Sequence, residues 1–566
     1  MPALETTTTP RKVRLGATTI SELQLRKIVT QLIGQGTRTG TGGGRFKALH
    51  ERVDLREQHF YNTKAADPVL PEPHNSTAAK FQSDAPRRLW AQLKARLTEN
   101  APVISATAEH DTAGGQKRGD RLGTVLQLGW EDAQRREGID IVGELADGMI
   151  IQCYALLHWE QAQDIYSPFP DPTHVRARPE GRDGERYGRD PERDGEHAGE
   201  YRETDAALLE RDSEARASAG FPIFFEVYSA RQFAFVRDRS MANGFGGVLT
   251  FVRRPLLEYV EETERGGLHV RYGQDPNART ARRLRIYDEV PGPETTMPSS
   301  DPTAWGKEVV VAHWWTRGEW YELVNEETRP SEVGWQLVKS AQHSYGMPPF
   351  ALCVAHETNS TDPALRYTPS LEGVYRAKPY VDYYRTLLFA IAQQIAFPLY
   401  YLVDESGKMG LDDSGKPLVL TRDALAAQQF PRGYSLQKVE FTLNPAFVEA
   451  LDSLVDEFRE SFPQTGQTEL SATTQPWTAR IGMSLANVEP ARLVGNIANT
   501  LSICFQNIAH LLSLTEAEGG FARPVPMRSE GKVVTVTPEE VKGLRVEVSI
   551  GKVGAVAPAE FRLHIN

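Results

Sequence analysis

Apolar residues recur at alternating spacings of three and four along much of the chain, a period that predicts amphipathic helices. The first of these covers Ile20–Ile33, and Ser21 is placed to cap its N-terminus. The same period predicts helices at Phe46–Tyr61, Ala85–Leu97 and Asp120–Arg136. The stretch Ile139–Glu160 predicts a helix that leads through Gly148 into a buried strand, because Met149–Leu157 is almost entirely apolar.

An alternating pattern of apolar and polar residues dominates from Phe221 to Glu357, and it predicts a β-rich region. The run KEVVVAHWWTRGEWYELV is typical of a hairpin that turns near Arg317 and Gly318. Its aromatic side chains either stack on nucleic-acid bases or pack a small sheet, and we favour packing. They are Trp314, Trp315, Trp320 and Tyr321.

Residues 171–219 are dominated by charge, with nine arginines and 14 acidic residues in 49 positions. Such a composition offers too little apolar surface for a core. We therefore expect a solvated loop or a disordered insertion in this segment. The alternative interpretation is an arm that binds a partner.

Two helices that flank a small module are predicted between residues 369 and 462. The first helix covers Pro369–Phe397, and the module at residues 398–443 combines short strands with a helical piece near Arg422–Gln429. The second helix covers Asn444–Phe462, where Asn444 suits the N-cap position. The two apolar stripes are Val374, Ala377, Val381, Tyr384, Leu388, Ile391 and Ile395 on the first helix and Phe447, Leu451, Leu454 and Phe458 on the second.

A polar segment separates the second helix from a third. Residues 464–488 contain only two charged side chains, Glu469 and Arg480. The third helix covers Pro490–Leu514, and strand-like runs follow it. Its apolar stripe consists of Val494, Ile497, Leu501, Cys504, Ile508 and Leu511.

The overall charge argues against a strongly basic nucleic-acid binder. Lysine and arginine total 64 against 75 acidic residues, which gives a net charge of −11. A mean hydropathy of −0.43 excludes a multi-span membrane protein. Gln393, Gln394 and Pro398 interrupt the uncharged run Thr386–Val403, so we expect a helix buried against protein there and no membrane span.

We find no sequence motif for catalysis or metal binding. The zinc-binding HExxH pattern and the phosphate-binding loop are both missing, and His50 and His59 lie nine residues apart on one predicted helix. Cys153, Cys353 and Cys504 lie in apolar surroundings, which predicts buried thiols in a reducing cytosol. The N-terminus lacks the apolar stretch of a signal peptide. We expect a protein that is not an enzyme and that binds no cofactor or metal ion.

The order of helix, module, helix, polar segment and long helix resembles that of the portal proteins of tailed bacteriophages. The stretch HSYGMPPFALCVAHETN, residues 343–359, is similar to the H-x-x-G-x-x-P lead-in that precedes the first of these helices in that family. Upstream, RRLWAQLKARLTENAPVISATA and IDIVGELADGMIIQCYALLHWE resemble the family's N-terminal wing. The resemblance covers most of the chain and rests on pattern and order.

This resemblance implies an α+β portal fold with a mixed α/β wing, a two-helix stem, a small α/β clip and a long wing helix after a tunnel loop. In this sequence the stem helices are 369–397 and 444–462, and the clip between them is 398–443. The strand-like C-terminus departs from the helical crown that the family often carries, and it implies a reduced crown or a part of the wing. The remaining segments are a flexible tail at 1–18, the wing at 19–368 with its insertion at 171–219 and its β-rich part at 221–357, the tunnel loop at 463–488, the long helix at 489–520 and the β-rich C-terminus at 521–566.

The resemblance also implies a homo-oligomeric ring, usually of twelve subunits, at one vertex of the virion capsid after assembly in the host cytoplasm. Such a ring conducts double-stranded DNA without sequence specificity during packaging and ejection. It contacts the major capsid protein, the terminase large subunit and the head-completion or adaptor proteins, and no membrane. The alternatives are another virion or head–tail adaptor protein without a DNA channel and, less favoured, a nucleic-acid enzyme without recognisable motifs.

Two groups of polar side chains are candidates for contact with DNA or with a neighbouring subunit. A weakly adhesive lining suits a DNA conduit, because every phosphate that a cation neutralises adds affinity. The tunnel-loop candidates are Gln464, Gln467, Thr468, Thr473, Thr474, Gln475 and Arg480. The stem candidates, facing the bore or pairing between subunits, are Arg376, Lys378, Arg385, Glu449, Asp452 and Asp456.

Overall fold

Helices and antiparallel sheets share one chain in this computed structural model, so the fold class is α+β, as predicted. The described residues are 12–15, 18–33, 45–70, 80–108, 113–162, 165–166, 174–176, 200–202, 205–255, 308–326, 335–396, 400–404, 419–420, 434–438, 445–446, 448–450, 452–453, 488–515, 518–521, 524–529 and 531–551.

Several helices begin and end close to the residues that the apolar period predicts, whereas the helix predicted at Asp120–Arg136 begins seven residues earlier, at Ala113. They are α1 (Glu22–Ile33), α2 (Lys47–Tyr61), α3 (Ala85–Leu97), α4 (Ala113–Glu137), α5 (Ile141–Asp147), α6 (Asp205–Ala219), α7 (Pro363–Arg366), α8 (Glu372–Ala396), α9 (Val488–Ser513) and α10 (Pro538–Val541). In α1, which follows Ser21 directly, Leu25, Val29 and Leu32 are buried on one face. The six stripe residues predicted for the long helix, now α9, are also buried.

The strands pair in antiparallel fashion into two main sheets and several smaller units. They are β1 (Lys12–Leu15), β2 (Thr18–Ser21), β3 (Pro102–Ala108), β4 (Tyr154–Gln161), β5 (His174–Arg176), β6 (Glu200–Arg202), β7 (Ile223–Ser229), β8 (Phe233–Arg237), β9 (Phe245–Pro255), β10 (Glu308–Trp315), β11 (Glu319–Glu326), β12 (Gln336–Gln342), β13 (Phe350–Val354), β14 (His356–Glu357), β15 (Tyr367–Thr368), β16 (Tyr400–Asp404), β17 (Val419–Leu420), β18 (Tyr434–Lys438), β19 (Val525–Ser529), β20 (Lys532–Val536) and β21 (Leu544–Ile550). The larger main sheet has the order β12-β11-β10-β9-β8, and the smaller has the order β13-β4-β7.

The tryptophan-rich hairpin of β10 and β11 packs into the core of the molecule. Trp314, Trp315, Trp320 and Tyr321 are all buried. The rings of Trp315 and Trp320 stack with their centroids 5.6 Å apart. The packing interpretation is therefore confirmed, and these side chains present no open platform to bases.

α9 lies along the edges of two sheets and satisfies their backbone groups with its polar side chains. On one side, Asn496 Nδ2 donates to the carbonyl of Val354 at 2.7 Å, and Thr500 Oγ1 donates to the carbonyl of Leu352 at 3.3 Å. On the other side, Ser502 Oγ accepts from the amide of Val548 at 2.9 Å. These contacts place α9 between the edge strands β13 and β21.

The predicted strand at Met149–Leu157 begins later than the apolar run indicates. Gly148–Gln152 form a short π-helix, and the strand starts at Tyr154 after Cys153, whose φ of 130° turns the chain. A Cβ on Gly148 would lie 2.5 Å from the Cβ of Ala155, so the helix can pass the strand only with glycine there. A uniformly apolar run fits a buried helix turn as well as a buried strand, which is why the boundary was wrong.

Part of the charged segment 171–219 is ordered, contrary to the expectation of a solvated loop. Its last residues form α6, in which Leu208 is buried. Asp212 and Arg216, one helical turn apart, are also buried and form an ion pair at 3.3 Å. Neighbouring opposite charges make such burial tolerable, and composition alone does not reveal that pairing. β5 and β6 pair within the same segment, and its other residues lie outside the described ranges.

The predicted tail at residues 1–18 also differs in part from the structure, because β1 and β2 form an antiparallel pair there. The strand-like runs at residues 268–272, 283–290 and 561–565 lie outside the described residues. Among the helices that the structure describes, each is too short or too polar to cross a lipid bilayer.

Candidate functional site

The module at residues 398–443 contains a small sheet in which the first and the last described strands pair with each other. Its described strands have the order β17-β16-β18, and Tyr400 at the start of β16 lies opposite Lys438 at the end of β18. α8 ends shortly before Tyr400, and helical residues resume at 445–446, 448–450 and 452–453. The first residue of β16 and the last residue of β18 therefore lie at the same end of this sheet. The predicted helix at Arg422–Gln429 lies outside the described residues.

The first turn of α8 is tied to the N-terminal helices by a buried arginine. Arg56 of α2 donates from Nη2 to Glu372 Oε2 at 2.7 Å and from Nη1 to the carbonyl of Gln152 at 3.0 Å. Arg376, a stem candidate, is exposed and pairs with Glu372 Oε1 at 3.0 Å within the same helix. The carboxylate of Glu372 therefore binds both the buried guanidinium of Arg56 and the exposed guanidinium of Arg376.

The burial of Lys378 contradicts the prediction that this side chain faces a bore or a neighbouring subunit. Its side chain is 0 % exposed and forms an ion pair with Asp382, which is 1 % exposed and lies one turn further along α8. Since its charge is compensated within its own helix, Lys378 stabilises the interior of the chain. The i, i+4 spacing of these two residues was the sequence signal for this pairing.

A short strap at residues 81–83 crosses α8 on the side of this ion pair. The amide of Ser83 donates to Asp382 Oδ1 at 2.8 Å, and the amide of Phe81 donates to Thr386 Oγ1 at 3.0 Å. Thr386 is itself buried. Arg385, another stem candidate, is half-buried, and its guanidinium lies over the ring of Phe81 at 4.9 Å. The strap therefore joins α8 to α3, which begins two residues later.

Three large apolar side chains of α8 are exposed, and one of them, Phe389, lies beside the strap, with its ring centroid 6.2 Å from that of Phe81. Tyr380 is 63 % exposed, Phe389 is 54 % exposed and Ile395 is 43 % exposed. Of the predicted stripe, Val374 and Val381 are buried, whereas Ile395 at the far end is not. The expectation of one continuous buried face on α8 is therefore wrong at its C-terminal end, whereas Leu388 and Ile391 are half-buried. The sequence period did not single out Tyr380 or Phe389.

The acidic candidates that the structure describes are accessible. Glu449 and Asp452 are both exposed on the helical residues that follow the module. Asp456 lies outside the described residues, and so do all seven loop candidates. These are Gln464, Gln467, Thr468, Thr473, Thr474, Gln475 and Arg480.

The three thiols are free and buried, as predicted. Burial raises the pKa of Cys153 and of Cys353 to about 12, and it raises the pKa of Cys504 well above its usual value. A thiol with so high a pKa is a poor nucleophile at neutral pH, so these cysteines serve packing. Within the described ranges, no group of three or more His, Cys, Asp or Glu side chains is arranged to hold a metal ion.

α8 combines a buried ion pair with three exposed apolar side chains, and exposed carboxylates follow the module in the sequence. Comparison with protein-family models finds no match to this chain, and no curated protein matches it either.

Proposed function

We propose that this protein is a bacteriophage portal protein, which forms a ring at one capsid vertex and conducts double-stranded DNA during packaging and ejection. The observation that carries the proposal is the order of α8, the small sheet of the module, a second helical segment and the long helix α9. The return of the chain to one end of the module supports a stem of two neighbouring helices. In this proposal the module is the clip and docks the terminase large subunit and, later, the head-completion proteins.

The large apolar side chains that α8 leaves exposed support assembly into a ring. Large apolar side chains that cluster on a protein surface mark sites of contact with other proteins. Tyr380, Phe389 and Ile395 remain exposed on α8 although the strap packs against this helix and places the ring of Phe81 6.2 Å from that of Phe389. A neighbouring copy of the same chain would cover them, as heterologous packing in a closed ring requires.

The distribution of charge supports passage of DNA without tight binding. Every phosphate that a lysine or arginine neutralises adds affinity and would slow a translocating duplex. The chain has a net charge of −11, and Glu449 and Asp452 are exposed next to the module. In the proposed tunnel loop at 463–488, only Glu469 and Arg480 are charged.

Native mass measurement together with negative-stain imaging of the purified protein tests the proposal. We expect closed rings of about twelve subunits with a central hole, viewed down the symmetry axis. A protein that stays monomeric at micromolar concentration, or that forms compact particles without a hole, would contradict it. Nuclease and ATPase assays with added magnesium are expected to show no activity, and turnover in either assay would favour an enzyme.

A further inference from the structure

We draw no further inference here: the strongest candidate, the buried π-helical turn Gly148–Gln152 together with Cys153 and its positive φ at the start of β4, carries nothing beyond the fold, because its hydrogen bonds with Arg56, Ser370 and Ala355 are local packing contacts and nothing among the described residues shows a second arrangement that it could adopt.

Discussion

The carboxylate of Asp382 accepts a hydrogen bond from the backbone amide of Ser83, 299 residues earlier in the chain, at 2.8 Å. The same carboxylate pairs with the buried ammonium of Lys378. One side chain therefore neutralises an internal charge and anchors the strap at residues 81–83. Through this strap, α8 and α3 are held together at the point where α8 leaves the core.

Replacing Asp382 by asparagine tests how much this buried pair stabilises the fold. Asp382→Asn keeps an acceptor for Ser83 but leaves the Lys378 charge uncompensated, and we expect a loss of about 3–5 kcal/mol in the free energy of unfolding. The double variant Lys378→Met with Asp382→Asn removes both charges and is expected to recover most of that loss. Urea unfolding of the wild type, the single variant and the double variant measures the three free energies of unfolding.

A matched control for the buried pair is Arg376→Met, which breaks the exposed pair with Glu372 on the same helix. We expect this change to cost less than about 1 kcal/mol, because exposed ion pairs are screened by water. If Asp382→Asn and Arg376→Met lower the free energy of unfolding equally, the buried Lys378–Asp382 pair stabilises the fold no more than the exposed pair does.

The exposed apolar residues of α8 are predicted to be needed for assembly and not for folding. Phe389→Gln combined with Ile395→Gln should shift the protein from rings to monomers, since both side chains are exposed in the single chain. Circular dichroism and the unfolding midpoint should stay near the wild-type values. Val69→Gln, at a residue that is 75 % exposed elsewhere on the surface, is the control and should leave the ring intact. Full-sized rings in the double variant would exclude Phe389 and Ile395 from the subunit interface.

The burial of two histidines, His50 and His343, predicts that the protein loses stability in acid. Burial lowers the pKa of His50 and of His343 to about 4. Between the unfolded pKa of about 6.5 and this folded value, the unfolded chain binds more protons than the folded chain. The free energy of unfolding is therefore expected to fall as the pH is lowered from about 6.5 to about 4. Urea unfolding at several pH values across this range measures how steeply the free energy of unfolding changes with pH.

Substitution of His343 tests how much of this pH dependence of the free energy of unfolding comes from one residue. His343 Nε2 lies 3.1 Å from the carbonyl of Thr316, so the neutral ring serves as a donor to the β10–β11 turn. His343→Gln keeps a donor that does not titrate and should flatten the fall in stability below pH 6.5. His510→Gln, at an exposed histidine, is the control. An identical slope in the His343→Gln protein would contradict the assignment.

Deletion of residues 466–480 tests the proposed tunnel loop, which lies outside the described residues. We expect rings to assemble as in the wild type, because α8 and the core of α9 are untouched. DNA packaging or retention in heads should be impaired, since the loop would line the narrowest part of the channel. A chain that fails to fold after this deletion would instead place the segment in the core.

The sequence predicted helices well where one apolar face meets one core. α3 has the predicted bounds, and the stripe of α9 from Val494 to Leu511 is buried as expected, because a regular period is a local property of the chain. The pattern failed where burial depends on a distant partner. Phe389 is exposed in spite of its apolar side chain, and Lys378 is buried in spite of its charge.

The candidate site shows the same division. The order of helices and module could be predicted, because turns and caps mark their ends along the sequence. The contacts of Glu489 with His356 and Ser370 could not be predicted, since these three residues share no periodic relationship and meet only through the fold. The pair of Asp212 and Arg216 could be predicted in part, because its i, i+4 spacing can be read from the sequence but its burial cannot.

The hydrogen bonds from α9 to the strands beside it bear on how copies of this protein behave when crowded. An unprotected outer strand is a template onto which another molecule can add its own strand, which leads to fibrous aggregates. At Leu352, Val354, Val546 and Val548, the outward backbone groups are already engaged by this helix. Molecules at high local concentration are thus steered away from open-ended strand addition at these edges and towards association through side chains.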